Sequence, residues 1–349
     1  MRRSTMVLGL GLALGLAGCD AVSQLLATLA DLDLLGIIPA EGFSDPASED
    51  YGKVKLALGA SDDQQIPVTP PGDLIEVVPD DGQEVEEGDW EEVPGHAEGS
   101  FVLLVDGSAS MEATDQCLGC PTDPGRLRVE AAKALAEELA RCGDTQWRMA
   151  LMEFGSNGTS PGMEDTQLLS EWTTDPAEVS SAADTLGSYE GTPLWDGTYE
   201  ALVALDGDAA TSFSEKDPTE IGRGIVVMSD GADTTSDRLP TVVVELALEM
   251  QIPVNTIGFG PASDVGDEID ASAVDDLRRL ASETGGYYGY VDSVDDLPAL
   301  AKAIASAQCG GHTELFATFS EPAASGEEVR GEIRLKDSPL GVPFGFRAP

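Results

Sequence analysis

Three oxygen-bearing side chains stand at alternate positions in Asp106-Gly107-Ser108-Ala109-Ser110, directly after the apolar run Phe101-Val102-Leu103-Leu104-Val105. A carboxylate with two hydroxyls is a hard-oxygen set, suited to Mg²⁺, Mn²⁺ or Ca²⁺ and poorly suited to zinc or copper. Taken alone, this spacing has two readings: a cation site, or an ordinary turn closing a strand. Two later segments extend the set. Gly191-Thr192-Pro193-Leu194-Trp195-Asp196-Gly197 places Thr192 at a loop-to-helix junction, and Ile225-Val226-Val227-Met228-Ser229-Asp230 is a second apolar run ending in an aspartate. Uninterrupted apolar runs of this kind are strands buried on both faces, as in the middle of a parallel sheet. The crevice beyond the carboxyl ends of such strands is where open α/β sheets bind ligands.

With Asp106, Ser108, Ser110, Thr192 and Asp230 in this order, the chain resembles a von Willebrand factor type A domain and its metal-ion-dependent adhesion site, over residues 98–309. The resemblance implies an α/β fold with a doubly wound, mostly parallel six-stranded sheet flanked by helices. It also implies that Ser108, Ser110 and Thr192 ligate a divalent cation directly, most simply Mg²⁺ with Mn²⁺ or Ca²⁺ as alternatives. Asp106 and Asp230 would act at the ion or through water. Neutral hydroxyls leave the cation's charge largely uncompensated, so its open position would take a Glu or Asp side chain from a partner protein. Asp233 lies nearby, either assisting as a water-bridged carboxylate or standing as an exposed loop acid, and Asp196 falls on the helix after Thr192.

The chain carries 64 acidic and 19 basic residues among 349. Such a balance excludes sequence-independent nucleic-acid binding, which needs Lys and Arg to displace phosphate counterions. It also favours a monomer through self-repulsion. A surface this acidic would repel a partner's carboxylate within a screening length of about 8–10 Å, and a bound divalent ion would reverse the local sign. At the N-terminus, Arg2 and Arg3 precede an apolar run from Met6 to Leu16, a segment shorter than a bilayer-spanning helix requires. Leu16-Ala17-Gly18-Cys19 resembles a bacterial lipobox, which implies a signal peptide over 1–18 and a lipid on Cys19 that anchors the chain in the cell envelope. Four cysteines remain. In the fold the chain resembles, the first and last helices end side by side, which implies a Cys142–Cys309 disulfide and leaves Cys117 with Cys120; four free thiols are the other reading.

Residues 19–97 read as an acidic, mostly disordered tether, because their composition offers too little apolar area to offset chain entropy. Leu25 to Leu35 within it are either a short helix near the lipid surface or apolar linker. Val54–Leu58 and Leu74–Val78 are possible strands. Within 98–309, strand and helix signals alternate: a helix over 126–141 with Glu130, Glu137 and Glu138 outward, a strand over 147–154, an antiparallel edge strand over 167–172, and helices over 175–186, from Thr192 through Leu205, 239–250 and 273–284. Gly285 stops the last of these, and Ser293 caps a final helix. Residues 310–349 read as a C-terminal β-hairpin extension, formed by 314–319 and 329–335. A hydrolase is disfavoured: Ser108 lacks the second glycine of a nucleophile elbow, and the two histidines, His96 and His312, fall outside the central domain. The remaining contrast is between an adhesion or scaffolding protein and a structural envelope protein whose metal stabilises the fold.

Overall fold

The expected tether is built of strands. In the computed structural model, which describes residues 29–62, 66–112, 121–142, 147–156, 166–213, 220–265, 269–336, 338 and 340–349, this part of the chain forms β1 (Leu29–Pro39), β2 (Lys53–Asp62), β3 (Pro67–Val68), β4 (Ile75–Pro79) and β5 (Val85–Val93). Leu32, Leu35 and Ile37 of β1 are buried, and so are Val54, Leu56, Leu58 and Ala60 of β2. The Leu-rich segment is therefore a strand over its described part, neither interfacial helix nor linker. Residues 1–28, with the expected signal peptide and Cys19, lie outside the described residues, as do Cys117 and Cys120.

The central domain follows the expected pattern. Its six strands are β6 (Gly99–Asp106), β7 (Trp147–Phe154), β8 (Thr166–Thr173), β9 (Gly222–Ser229), β10 (Val254–Gly258) and β11 (Tyr288–Tyr290), in the order β11-β10-β9-β6-β7-β8. All neighbours are parallel except β7 and β8. The continuous apolar run of β6 has a direct cause: Phe101, Leu103 and Val105 enter the core on one face, while Val102 and Leu104 enter the core on the other. One face is covered by α1 (Leu127–Arg141), α2 (Pro176–Ala183) and α6 (Leu297–Gly310), the other by α3 (Leu194–Ser212), α4 (Pro240–Met250) and α5 (Ala271–Thr284). Asp175 caps α2 by accepting from Ala177 N at 2.9 Å, with Pro176 in the first turn. Gly285 ends α5 at φ 83°.

Helices α1 and α6 pack against each other, and Ala132, Ala136, Ala301 and Ala305 are buried in the core on this face. A disulfide joins Cys142, just past α1, to Cys309 near the end of α6, with Cα atoms 5.6 Å apart. Glu138 was expected to face solvent, but it is buried in this contact. It accepts from Ser306 Oγ at 3.0 Å and lies 3.2 Å from Arg141 Nη1. Helical periodicity alone misses this, because the second helix covers a face that a single helix would expose.

Nor do the last strands form the expected hairpin. β12 (His312–Phe319) inserts between β2 and β5, whereas β13 (Glu328–Leu335) pairs with β14 (Gly341–Arg347) and β4. Strands from before and after the central domain thus share two sheets, with Phe43, Phe319, Phe344 and Phe346 packed between them. The alternation in 314–319 and 329–335 correctly marks strands; both partners of β12, and β4 beside β13, lie more than 200 residues earlier, which a local pattern cannot reveal. The central domain is an insertion between two paired strands: Val93 at the end of β5 lies opposite His312 at the start of β12. β1 also abuts β11, where the carbonyl of Leu35 lies 2.6 Å from the Cβ that a side chain at Gly289 would carry.

Candidate metal centre

Four of the five expected ligands are linked by hydrogen bonds at the carboxyl ends of β6 and β9. Asp106, the last residue of β6, is fully buried. Its Oδ1 accepts from the Ser108 amide at 2.7 Å and its Oδ2 from Ser229 Oγ at 2.5 Å, so the carboxylate is pinned between adjacent strands. Ser110 Oγ donates to Asp230 Oδ1 at 2.8 Å. Ser108 Oγ lies 2.8 Å from Ser110 Oγ, and since the single hydroxyl proton of Ser110 points to Asp230, Ser108 donates in that pair.

Thr192 arrives on a separate loop just before α3. Its backbone exchanges two hydrogen bonds with Thr234, at 2.9 and 3.0 Å, which ties it to the turn after Asp230. Its hydroxyl stands 4.0 Å from the place a Cβ on Gly231 would occupy. The same loop runs beside the first one: Tyr189 N donates to Gly107 O at 2.6 Å, and Ser108 bridges to Tyr189. Three chain segments, distant in sequence, therefore meet at one rim.

Two contributors were not apparent from the sequence. Thr122 donates through its hydroxyl to Asp230 Oδ2 and lies 3.0 Å from the Ser110 carbonyl. Ser229 holds Asp106. Thr122 carries no periodic signal, since it sits in a turn before α1. Ser229 could have been found as the strand-end neighbour of Asp230. Asp233 joins Ser236 at the start of α3, accepting from Ser236 Oγ at 2.5 Å, and so belongs to the helix start. Asp196 lies on α3, is buried, and pairs with Arg238 at 2.9 Å.

Burial, followed by the charge of Asp230, pushes Asp106 up to about 7. Burial also raises Asp230, against the hydrogen bonds of Thr122 and Ser110 and the more distant charge of Arg128. That guanidinium is itself engaged, with Asp123 at 2.9 Å and Glu112 at 2.8 Å. Two buried carboxylates thus share a rim of hydroxyls. Among the described residues no cluster of three His, Cys, Asp or Glu side chains is placed to hold a metal, so an ion here would depend on the hydroxyl oxygens. The donor set fits a hard divalent cation.

The chain matches the von Willebrand factor type A domain model over residues 101–304. No curated protein matches it. Similar solved structures include a von Willebrand factor type A protein from Catenulispora acidiphila, 13% identical, covering 92% of this chain and 74% of that one, with a TM-score of 0.44. The vWF domain of the type V pili tip protein Mfa5 from Porphyromonas gingivalis is 15% identical, covering 62% and 95%, with a TM-score of 0.42. Proximal thread matrix protein 1 from the mussel byssus, solved with a zinc-occupied MIDAS motif, is 16% identical and covers 65% of this chain, with a TM-score of 0.45; the chain spans 49% of that protein. The family match extends over more than half of the sequence and coincides with the six-stranded domain, and this chain belongs to the von Willebrand factor type A domain family.

Proposed function

We propose that this protein binds another protein through a divalent cation, most simply Mg²⁺, held by Ser108, Ser110 and Thr192 with Asp106 and Asp230. Domains of this family commonly mediate protein–protein interaction, and the reading is supported above all by the shared rim at the ends of β6 and β9. When bound, the cation supplies an open coordination position for a partner's Glu or Asp side chain. Ser108 and Ser110 offer neutral oxygens, and Ser229 and Thr122 fix the two carboxylates beside them. The role we propose is binding, and its support is that His96 and His312 line a cavity at the amino-terminal end of the sheet, remote from this rim. Leu16-Ala17-Gly18-Cys19 supports a lipid anchor on Cys19, which would place the domain on a bacterial envelope membrane as a monomer.

The test is affinity capture from envelope extracts with Mg²⁺ or with chelator, using the natural chain and Asp106→Ala. Mg²⁺-dependent capture that the substitution abolishes, with melting little changed, is the expected result. Equal capture by both proteins would remove the bridging role. A lowered melting temperature with unchanged capture would assign the ion to fold stability alone.

A further inference from the structure

A cavity of about 310 Å³ lies at the end of the sheet opposite the candidate metal centre, where β5 and β12 meet the amino-terminal ends of β9 and β10. From Arg223 to Asp230 the chain runs seven residues along β9, so the two places are about 23 Å apart. Both histidines of the chain line this cavity, His96 from the segment after β5 and His312 from the start of β12. They are brought there by the way the central domain is inserted. His96 N donates to Gln308 O at 2.8 Å, and the His312 ring packs edge-on against Tyr287 with centroids 5.5 Å apart.

The chemistry of the lining is unusual for a chain of net charge −45. Arg223 brings a guanidinium that is 14% exposed, and its carboxylate neighbour, Asp206, is 3.7 Å away, beyond hydrogen-bond reach, and half exposed. Glu314, the carboxylate in the lining, is already held by Lys55 at 2.6 Å. Tyr287 is buried, and its hydroxyl makes no hydrogen bond among the described residues. A buried hydroxyl without a partner costs about 1–3 kcal/mol, and here it faces a space large enough for a ligand. Burial keeps His96 below the ordinary imidazole range, His312 Nε2 lies 3.7 Å from Glu314 Oε1, and Arg223 brings the guanidinium of the lining. Ile221 and Pro253 add apolar wall. Exposed Pro94 opens the cavity to solvent.

We propose that this cavity is a second binding site, for a small carboxylate-bearing molecule, with Arg223 holding the carboxylate and the Tyr287 hydroxyl donating to a polar atom of the ligand. A planar guanidinium matches a carboxylate through two parallel hydrogen bonds. The volume sits at the lower end of the range for small-molecule pockets. The site is independent of the metal-bridging role.

The two histidines give a direct readout. The full chain carrying carbon-13-labelled histidine shows two imidazole signals, and it is titrated with succinate, with inorganic phosphate and with neutral succinamide. Saturable shifts of both signals with succinate are expected, together with about tenfold or greater weakening in Arg223→Gln and unchanged binding in Asp106→Ala. Tyr287→Phe, which keeps the buried ring and removes only the hydroxyl, should weaken succinate several-fold and decides the matter if Arg223→Gln does not fold. Saturation by phosphate in place of succinate would overturn the carboxylate assignment. An equal response to succinamide, no saturable response, or full succinate affinity in both variants would overturn the site.

Discussion

Reducing or removing the Cys142–Cys309 disulfide tests how firmly the last helix of the domain is held. The bridge joins residues 167 apart in sequence, and closing a loop of that length in the unfolded chain stabilises the fold by about 5 kcal/mol. Spread over the unfolding entropy of the whole 349-residue chain, this is about 7 °C of melting temperature; if the central domain unfolds alone it is about 11 °C. The assay is a thermal melt of the natural chain and of the Cys142→Ala/Cys309→Ala variant, each with and without reductant. Reductant should bring the natural chain down to the variant's melting temperature. The variant's own response then isolates any contribution from Cys117 and Cys120. An oxidised natural chain that melts with the variant would refute the reasoning, as would free thiols at Cys142 and Cys309 in an unreduced digest.

Other consequences can be measured on the same protein. With Asp106 raised to about 7, a proton competes with the cation on the acid side, so Mg²⁺ affinity should fall about tenfold from pH 8 to pH 6 by calorimetry; a flat profile would contradict the burial argument. Thr122→Val should weaken Mg²⁺ several-fold, because Asp230 loses a hydrogen-bond partner, while the metal-free melting temperature changes little. Arg128→Met leaves Asp123 buried without its ion pair and should cost about 3–5 kcal/mol in chemical denaturation. Deleting residues 310–349 takes β12 away from β2 and β5 and β13 away from β4, and protease cleavage within 29–97 should rise sharply.

The five expected positions stand out because each is announced locally, whereas Thr122 and Ser229, which bond to two of them, are not. Asp106 and Asp230 end apolar runs that are long enough to be buried strands on their own evidence, and Thr192 stands before a helix. The β-rich unit was not legible, for reasons visible in its strands. β5 reads Val-Glu-Glu-Gly-Asp-Trp-Glu-Glu-Val and leaves most of its side chains in solvent; it is held by its backbone ladder to β12, which side-chain patterning does not report. β14 contains Pro343 and two glycines, the composition of a loop, yet it is an edge strand, where a missing amide is tolerated. The leucines of β1 fit a helix as well as a strand until β2 is placed beside them. For β5 the deciding partner, β12, is more than 200 residues away, and pairing across such a distance leaves little trace in a local window.

The insertion of the central domain between β5 and β12 has a mechanical consequence. Its two connections leave the β unit side by side, at Val93 and His312, so a load on the domain enters both strands at the same end. β12 lies against β2 over six paired positions, and that ladder is loaded in shear, with its rungs sharing the force, instead of peeling open one rung at a time. The part of such a load that runs along the strands is spread over all six rungs together.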